Sequence, residues 1–318
     1  MPPKTPRPSA DVGVGDAACL PACQPPARRY PSLPGGRRPH SRRSTLSRHI
    51  LQAVLLCGGV LVPPVVHAHV HVEVVYRNGQ LRLVCYDFEE GESDPANVVL
   101  PVGLPAASPI PNLPAFTNLL GEAGGTTWVL PQSQHPDLLW LGIGNASLSA
   151  SDFTGSLSLR LLAVEGPGHF ALFFNDVFGR PIPRMNSRDG ISAQDTLTLP
   201  LGSHLHCNWA FSAPGRYRLT FQVSGTLRAG NTPIASAPTD FFFTVEAPPR
   251  PVLTLTHTAT NTFQLTLQAH PGLNYLVEHS SNLTNWLALT NVAASALVTT
   301  HPLALPPASM QYFRARVR

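Results

Sequence analysis

Residues 69–76, His-Val-His-Val-Glu-Val-Val-Tyr, alternate polar and apolar side chains, the period-two pattern of a half-buried β-strand. Arg77-Asn-Gly-Gln80 follows, and an Asn-Gly pair between two such runs signals a tight hairpin. Leu81-Arg-Leu-Val-Cys-Tyr-Asp87 then reads as the returning strand. Similar runs recur at 156–163, 169–174, 195–199, 217–225 and 240–245, each bounded by Gly, Pro, Asn or Asp. One short helix is predicted, near 114–123. Short strands with frequent turns predict an all-β chain, with a β-sandwich over residues 69–246. Within it Trp209 reads as a core anchor, Tyr217 and Leu219 point inward together, and Phe241-Phe242-Phe243 reads as a strand buried on both faces.

Ala247-Pro-Pro-Arg-Pro251 cannot continue a central strand and reads as a linker over 247–251. Beyond it about five further runs, at 252–257, 262–268, 275–279, near 286–289 and at 312–317, predict a small fibronectin-like β-sandwich over 252–318. A unit of about 67 residues is near the lower limit for a core of its own.

The part before residue 69 has a different character. Residues 1–49 are rich in Pro, Arg and Ser without hydrophobic periodicity, a composition that predicts a disordered basic leader. Arg42-Arg43 and Arg48 precede an apolar run over 50–66 that ends in His67-Ala68. This is the order of a secretory signal peptide, here over 50–68, with Val66 and Ala68 as the small cleavage residues and His69 as the expected mature terminus. About 17 apolar residues interrupted by Pro63-Pro64 fit a cleaved signal better than a spanning helix. The expected location is therefore secreted or extracytoplasmic, with no stable membrane span after cleavage. The charge agrees. Of the net +4, residues 1–49 hold nine Lys/Arg against two acidic residues, while the remainder holds 13 Arg against 16 acidic residues. The basic balance belongs to the leader, so no nucleic-acid partner is expected.

Four segments carry a resemblance. They are His69-Val-His-Val-Glu73 with its hairpin; Leu130-Pro-Gln-Ser-Gln134 with Trp140-Leu-Gly142; Val164-Glu-Gly-Pro-Gly-His-Phe-Ala-Leu172; and Gly202-Ser-His-Leu-His-Cys-Asn-Trp-Ala-Phe211, continuing to Phe221. Residues 69–246 thereby resemble the bacterial choice-of-anchor M surface domain, found on exported proteins with varied sorting tails. Glu73 stands where that family usually has Asp, and Cys85-Tyr-Asp87 replaces a stretch that often contains His. Tyr275-Leu-Val-Glu-His-Ser-Ser-Asn-Leu-Thr-Asn-Trp286 and Gln311-Tyr-Phe-Arg-Ala-Arg316 resemble the small C-terminal β-modules of secreted verrucomicrobial and planctomycete proteins, which implies an accessory or attachment role.

The candidate chemistry lies in histidines. His204 and His206 are two residues apart, which on a strand places both on one face, roughly 7 Å apart along the chain. His69 and His71 repeat the spacing. His169 follows Gly166-Pro-Gly168, where glycine lets a backbone approach closely. Neutral imidazole is the commonest zinc and copper ligand, and closed sites take four donors. The candidate metal set is His71, His169, His204 and His206, with His69 ranked behind them, and the candidate ion is zinc or copper. The competing reading is that these histidines only pack and bond to backbone. A third depends on cleavage before His69. A terminal amine and its own imidazole can then chelate copper as in a histidine brace, which implies a secreted polysaccharide-active enzyme.

Other chemistry is thinly represented. The acidic stretch at 87–94 lacks the spacing of a calcium loop and reads as a solvated turn. There is no nucleophile elbow, phosphate loop or dinucleotide fingerprint. Cys85 and Cys207, the two cysteines after residue 69, allow one disulfide at most. The expectation is a secreted or cell-surface, non-enzymatic binding protein with a histidine-lined metal site and an extracellular ligand or cell-surface component as partner. The alternatives are a metal-free structural or interaction protein and a secreted polysaccharide-active enzyme, of the copper histidine-brace type if His69 is the mature terminus.

Overall fold

A computed structural model describes residues 69–259, 262–304 and 311–318. The expected basic leader and signal peptide, residues 1–68, lie outside the described residues.

The first hairpin forms as the alternation predicts. β1 (His69–Arg77) and β2 (Gln80–Asp87) pair antiparallel through Arg77 and Gln80. The turn residues Asn78 and Gly79 both have positive φ, 52° and 74°, as a type I′ turn requires. β3 (Gly91–Ser93), β4 (Val99–Val102), β5 (Ala107–Pro109), α1 (Pro114–Leu120), β6 (Thr126–Leu130) and β7 (Trp140–Gly144) follow. Then come β8 (Leu157–Glu165), β9 (Phe170–Asn175), β10 (Pro181–Asn186), β11 (Thr196–Leu199), β12 (His204–His206) and β13 (Asn208–Phe211). β14 (Gly215–Leu227), β15 (Thr232–Ala235) and β16 (Thr239–Val245) complete the first unit.

These strands make three sheets around one core. The first has the order β12-β7-β1-β2-β3, the second β10-β9-β13-β6-β5, and the third β11-β8-β14-β16-β4 with β15 beside β14. Val70, Val72 and Val74 of β1, Leu141 and Ile143 of β7, Trp209 and Phe211 of β13, and Tyr217, Leu219 and Phe221 of β14 all enter a single buried cluster. Trp209 is fully buried, as its reading as a core anchor requires. Phe241 and Phe243 are buried too, but Phe242 is only half-buried. β16 therefore buries one face rather than two, because Phe242 lies opposite Arg218 of β14 on the outer side.

The chain passes between sheets at one residue that positions the site. β12 pairs with β7 in the first sheet, and β13 pairs with β6 and β9 in the second. Cys207, fully buried, is the residue between them. This anchors the end of the His204–His206 strand, which forms one edge of the first sheet, against the core.

The C-terminal residues form β17 (Val252–Ala259), β18 (Thr262–Gln268), β19 (Asn274–Ser280), β20 (Leu287–Ala293), β21 (Val298–Ala304) and β22 (Tyr312–Val317). They build two three-stranded sheets, β17-β18-β21 and β20-β19-β22, over a second buried cluster that includes Leu265, Leu267, Tyr275 and Val277. The described strands number six here, where about five were expected. β21 carries Pro302, which argues against a strand, but β21 is an edge strand, where the missing N–H is tolerated. Among the described residues no helix is long and apolar enough to cross a membrane.

Candidate metal centre

The strand order β12-β7-β1 brings two distant His-x-His segments to one face. β1 runs parallel to β7, setting His69 opposite Trp140, His71 opposite Gly142 and Glu73 opposite Gly144. β12 runs antiparallel on the other side, setting His206 opposite Gly142 and His204 opposite Gly144. Two rungs result: His71–Gly142–His206 and Glu73–Gly144–His204. Side chains from β1 and β12 must lean across β7 to meet, a gap of about 10 Å between Cα atoms. Glycine on the intervening strand makes that possible. A Cβ on Gly142 would lie 2.6 Å from Nε2 of His71 and 3.0 Å from Cε1 of His206, and one on Gly144 would overlap the Glu73 carboxylate.

The imidazoles of His69, His71, His204 and His206 converge in that space, their ligand atoms all within 4.8 Å of one another. Nε2 of His71 lies 3.0 Å from Nε2 of His69, which lies 3.2 Å from Nε2 of His206, which lies 2.8 Å from Nε2 of His204. Nitrogens bound at zinc–imidazole distances are about 3.3 Å apart on a tetrahedral edge and about 2.8 Å apart on a square side. The spacings fall in that range.

Aromatic rings and one carboxylate hold the imidazoles. Trp140 stacks on His206 with centroids 3.8 Å apart and on His69 at 4.5 Å, while its indole N–H donates to the Gln132 carbonyl. Phe88 stacks on the other side of His69 at 4.2 Å, fixed there by its backbone N–H donating to the His69 carbonyl. Glu73, itself buried, accepts from the Ala146 N–H and brings its other carboxylate oxygen 3.5 Å from Nδ1 of His71. A carboxylate there favours the tautomer with the proton on Nδ1, leaving the Nε2 lone pair directed at the cluster.

Burial, with His71 and His204 adding, pulls the His69 pKa down to about 4. Burial, then His204, His69 and His71, pulls His206 down to about 3. Burial pulls His204 below the ordinary imidazole value as well, with His71 adding. These three rings are neutral at pH 7 and offer lone pairs. Cys85 and Cys207 are both buried free thiols, not a disulfide, and burial pushes each up to about 12. They are protonated and stand outside the cluster.

Of the residues expected at a site, His71, His204 and His206 come together, and His69, ranked behind them, joins them. His169 does not, which corrects the expected set. It precedes β9 in the second sheet, where its backbone N–H donates to the Ser212 hydroxyl and its carbonyl accepts from the Ser212 N–H. The neighbouring glycines do permit a close approach, but to Tyr217: a Cβ on Gly168 would lie 2.8 Å from the Tyr217 hydroxyl, and one on Gly166 would enter the Tyr217 ring. Residues missed from sequence are Trp140, Phe88, Glu73 and the two glycines of β7. The signal for the last was present: Gly142-Ile-Gly144 places two side-chain-free positions on one strand face. Within the 87–94 stretch only residues 88–90 form a turn, in which the Asp87 carboxylate accepts from the Glu89 and Glu90 N–H groups, and Gly91–Ser93 return as β3 beside β2.

No family model matches the chain, and no curated protein matches it. Of the four sequence motifs, those holding His69 and His71, Trp140 and Gly142, and His204 and His206 meet at the histidine cluster, while the one holding His169 lies elsewhere.

Proposed function

We propose that this chain is a secreted or cell-surface binding protein whose first sandwich holds one zinc or copper ion on His69, His71, His204 and His206. The convergence of four Nε2 atoms carries the reading. Each Nε2 offers a single in-plane position, a lone pair or an N–H. Three consecutive Nε2–Nε2 contacts share four such positions, so hydrogen bonding satisfies two contacts at most. A cation accepting four lone pairs satisfies every nitrogen at once. Four imidazoles without a thiolate suit zinc and copper, and a carboxylate behind one ligand is the usual second partner of a metal-bound histidine.

The donor pattern disfavours the copper-brace alternative. A terminal amine and its own imidazole close a chelate ring through Nδ1, whereas His69 turns Nε2 toward His71 and His206. Export is supported by the basic segment, apolar run and small residues that precede His69. The surface-domain assignment is supported by the four motifs, three of which share the one centre.

Metal analysis of the protein purified without a histidine tag tests the proposal. Close to one zinc or copper per chain is expected, and the variant carrying both His204→Ala and His206→Ala is expected to have lost it. A wild-type protein that stays metal-free after incubation with either ion would overturn it.

A further inference from the structure

A cleft of about 360 Å³ opens directly beside the imidazoles, with His71 and His204 on its floor. Its walls include Glu73, Arg77, Tyr86 and Phe88. Phe88 is 50% exposed and Tyr86 37% exposed, and the two rings meet edge to face at 5.3 Å. Phe88 packs one face on His69, yet half of its surface stays open beside the histidine cluster. The volume suits a small organic ligand rather than a protein segment. Arg77 is engaged with Glu92 at the outer end, and the Glu73 carboxylate is already held by the Ala146 N–H. An ion on the floor would supply the cleft's one uncommitted positive charge.

We infer that this cleft is a binding site for a small anionic chelating ligand with an aromatic body, resting on the metal reading above. The oxygen donors of such a ligand reach the ion past His71 and His204, and its ring packs against Phe88 and Tyr86. Both parts are needed: the ion orients the anionic head, and the aromatic wall selects the body. The centre is then a recognition site and not only a structural clamp.

The test uses the full protein, purified without a tag and loaded with cobalt(II), whose visible spectrum reports its coordination. Benzohydroxamate and acetohydroxamate share a chelating head and differ in the ring. Both are expected to change the spectrum while cobalt stays on the protein. Benzohydroxamate is expected to bind about ten-fold more tightly, and Ser147→Trp, which fills the exposed lip of the cleft, is expected to keep cobalt and lose that preference. Equal affinities, an unchanged spectrum, or removal of cobalt by the ligand would overturn the inference while leaving the metal reading in place. Failure to bind cobalt at all would overturn both.

Discussion

Glu73 shows how much of the site is decided by a single side chain. It ligates nothing in the proposed centre, yet its carboxylate is what orients His71, and its own position is set by the Ala146 N–H. Glu73→Gln keeps the size and the Ala146 bond and removes the charge. Its metal affinity is expected to fall about 10- to 100-fold with the fold unchanged, read by competition with a coloured chelator. An affinity within about two-fold of wild type would remove Glu73 from the account. At this scale the sequence was partly readable. His204 and His206, like His69 and His71, had to share a face because strand side chains repeat every two residues. What spacing cannot rank is which third segment lies nearby. Gly166-Pro-Gly-His169 has the composition of a close approach, but the group approached is the Tyr217 ring, 49 residues on in sequence and unconnected to any histidine pattern.

Among the elements, β7 decides the site while contributing none of its ligands. It lies between β1 and β12, and its two glycines form the trough over which both His-x-His pairs lean. Gly144→Ala is expected to cost about 1–3 kcal/mol of stability, because the Glu73 side chain must move. Metal affinity should fall with it, so urea denaturation and a metal titration on the same sample read both effects. No loss in either would mean that the trough is not needed. The alternation that predicted β1, β2, β8, β11 and β14 is local, and so was readable. The parallel pairing of β1 with β7, and the antiparallel addition of β12, join residues far apart in sequence. Nothing in either strand alone encodes the neighbour, which is why the four-histidine set could be proposed but its membership could not be fixed.

For the whole molecule the proposed centre predicts a link of stability to pH and to metal. In the metal-free protein His69 and His206 titrate near 4 and 3, and His204 also below its ordinary value. An unfolded chain takes up those protons near pH 6.5, so between about 6.5 and 4 the unfolded state binds more of them and stability falls as pH falls. The urea midpoint of metal-free protein should therefore drop from pH 7.5 to pH 5, and the drop should shrink in a variant with His69, His204 and His206 all replaced by Ala. A drop of equal size in that variant would assign the dependence to other groups. Zinc or copper added at neutral pH should raise the midpoint, as a ligand that binds only the folded state must. The most direct test is X-ray absorption at the metal edge of the loaded protein. The account predicts a shell of four imidazole nitrogens at about 2.0–2.1 Å and no sulfur at about 2.3 Å. A sulfur shell, or a shell of oxygens with fewer than three imidazoles, would contradict it.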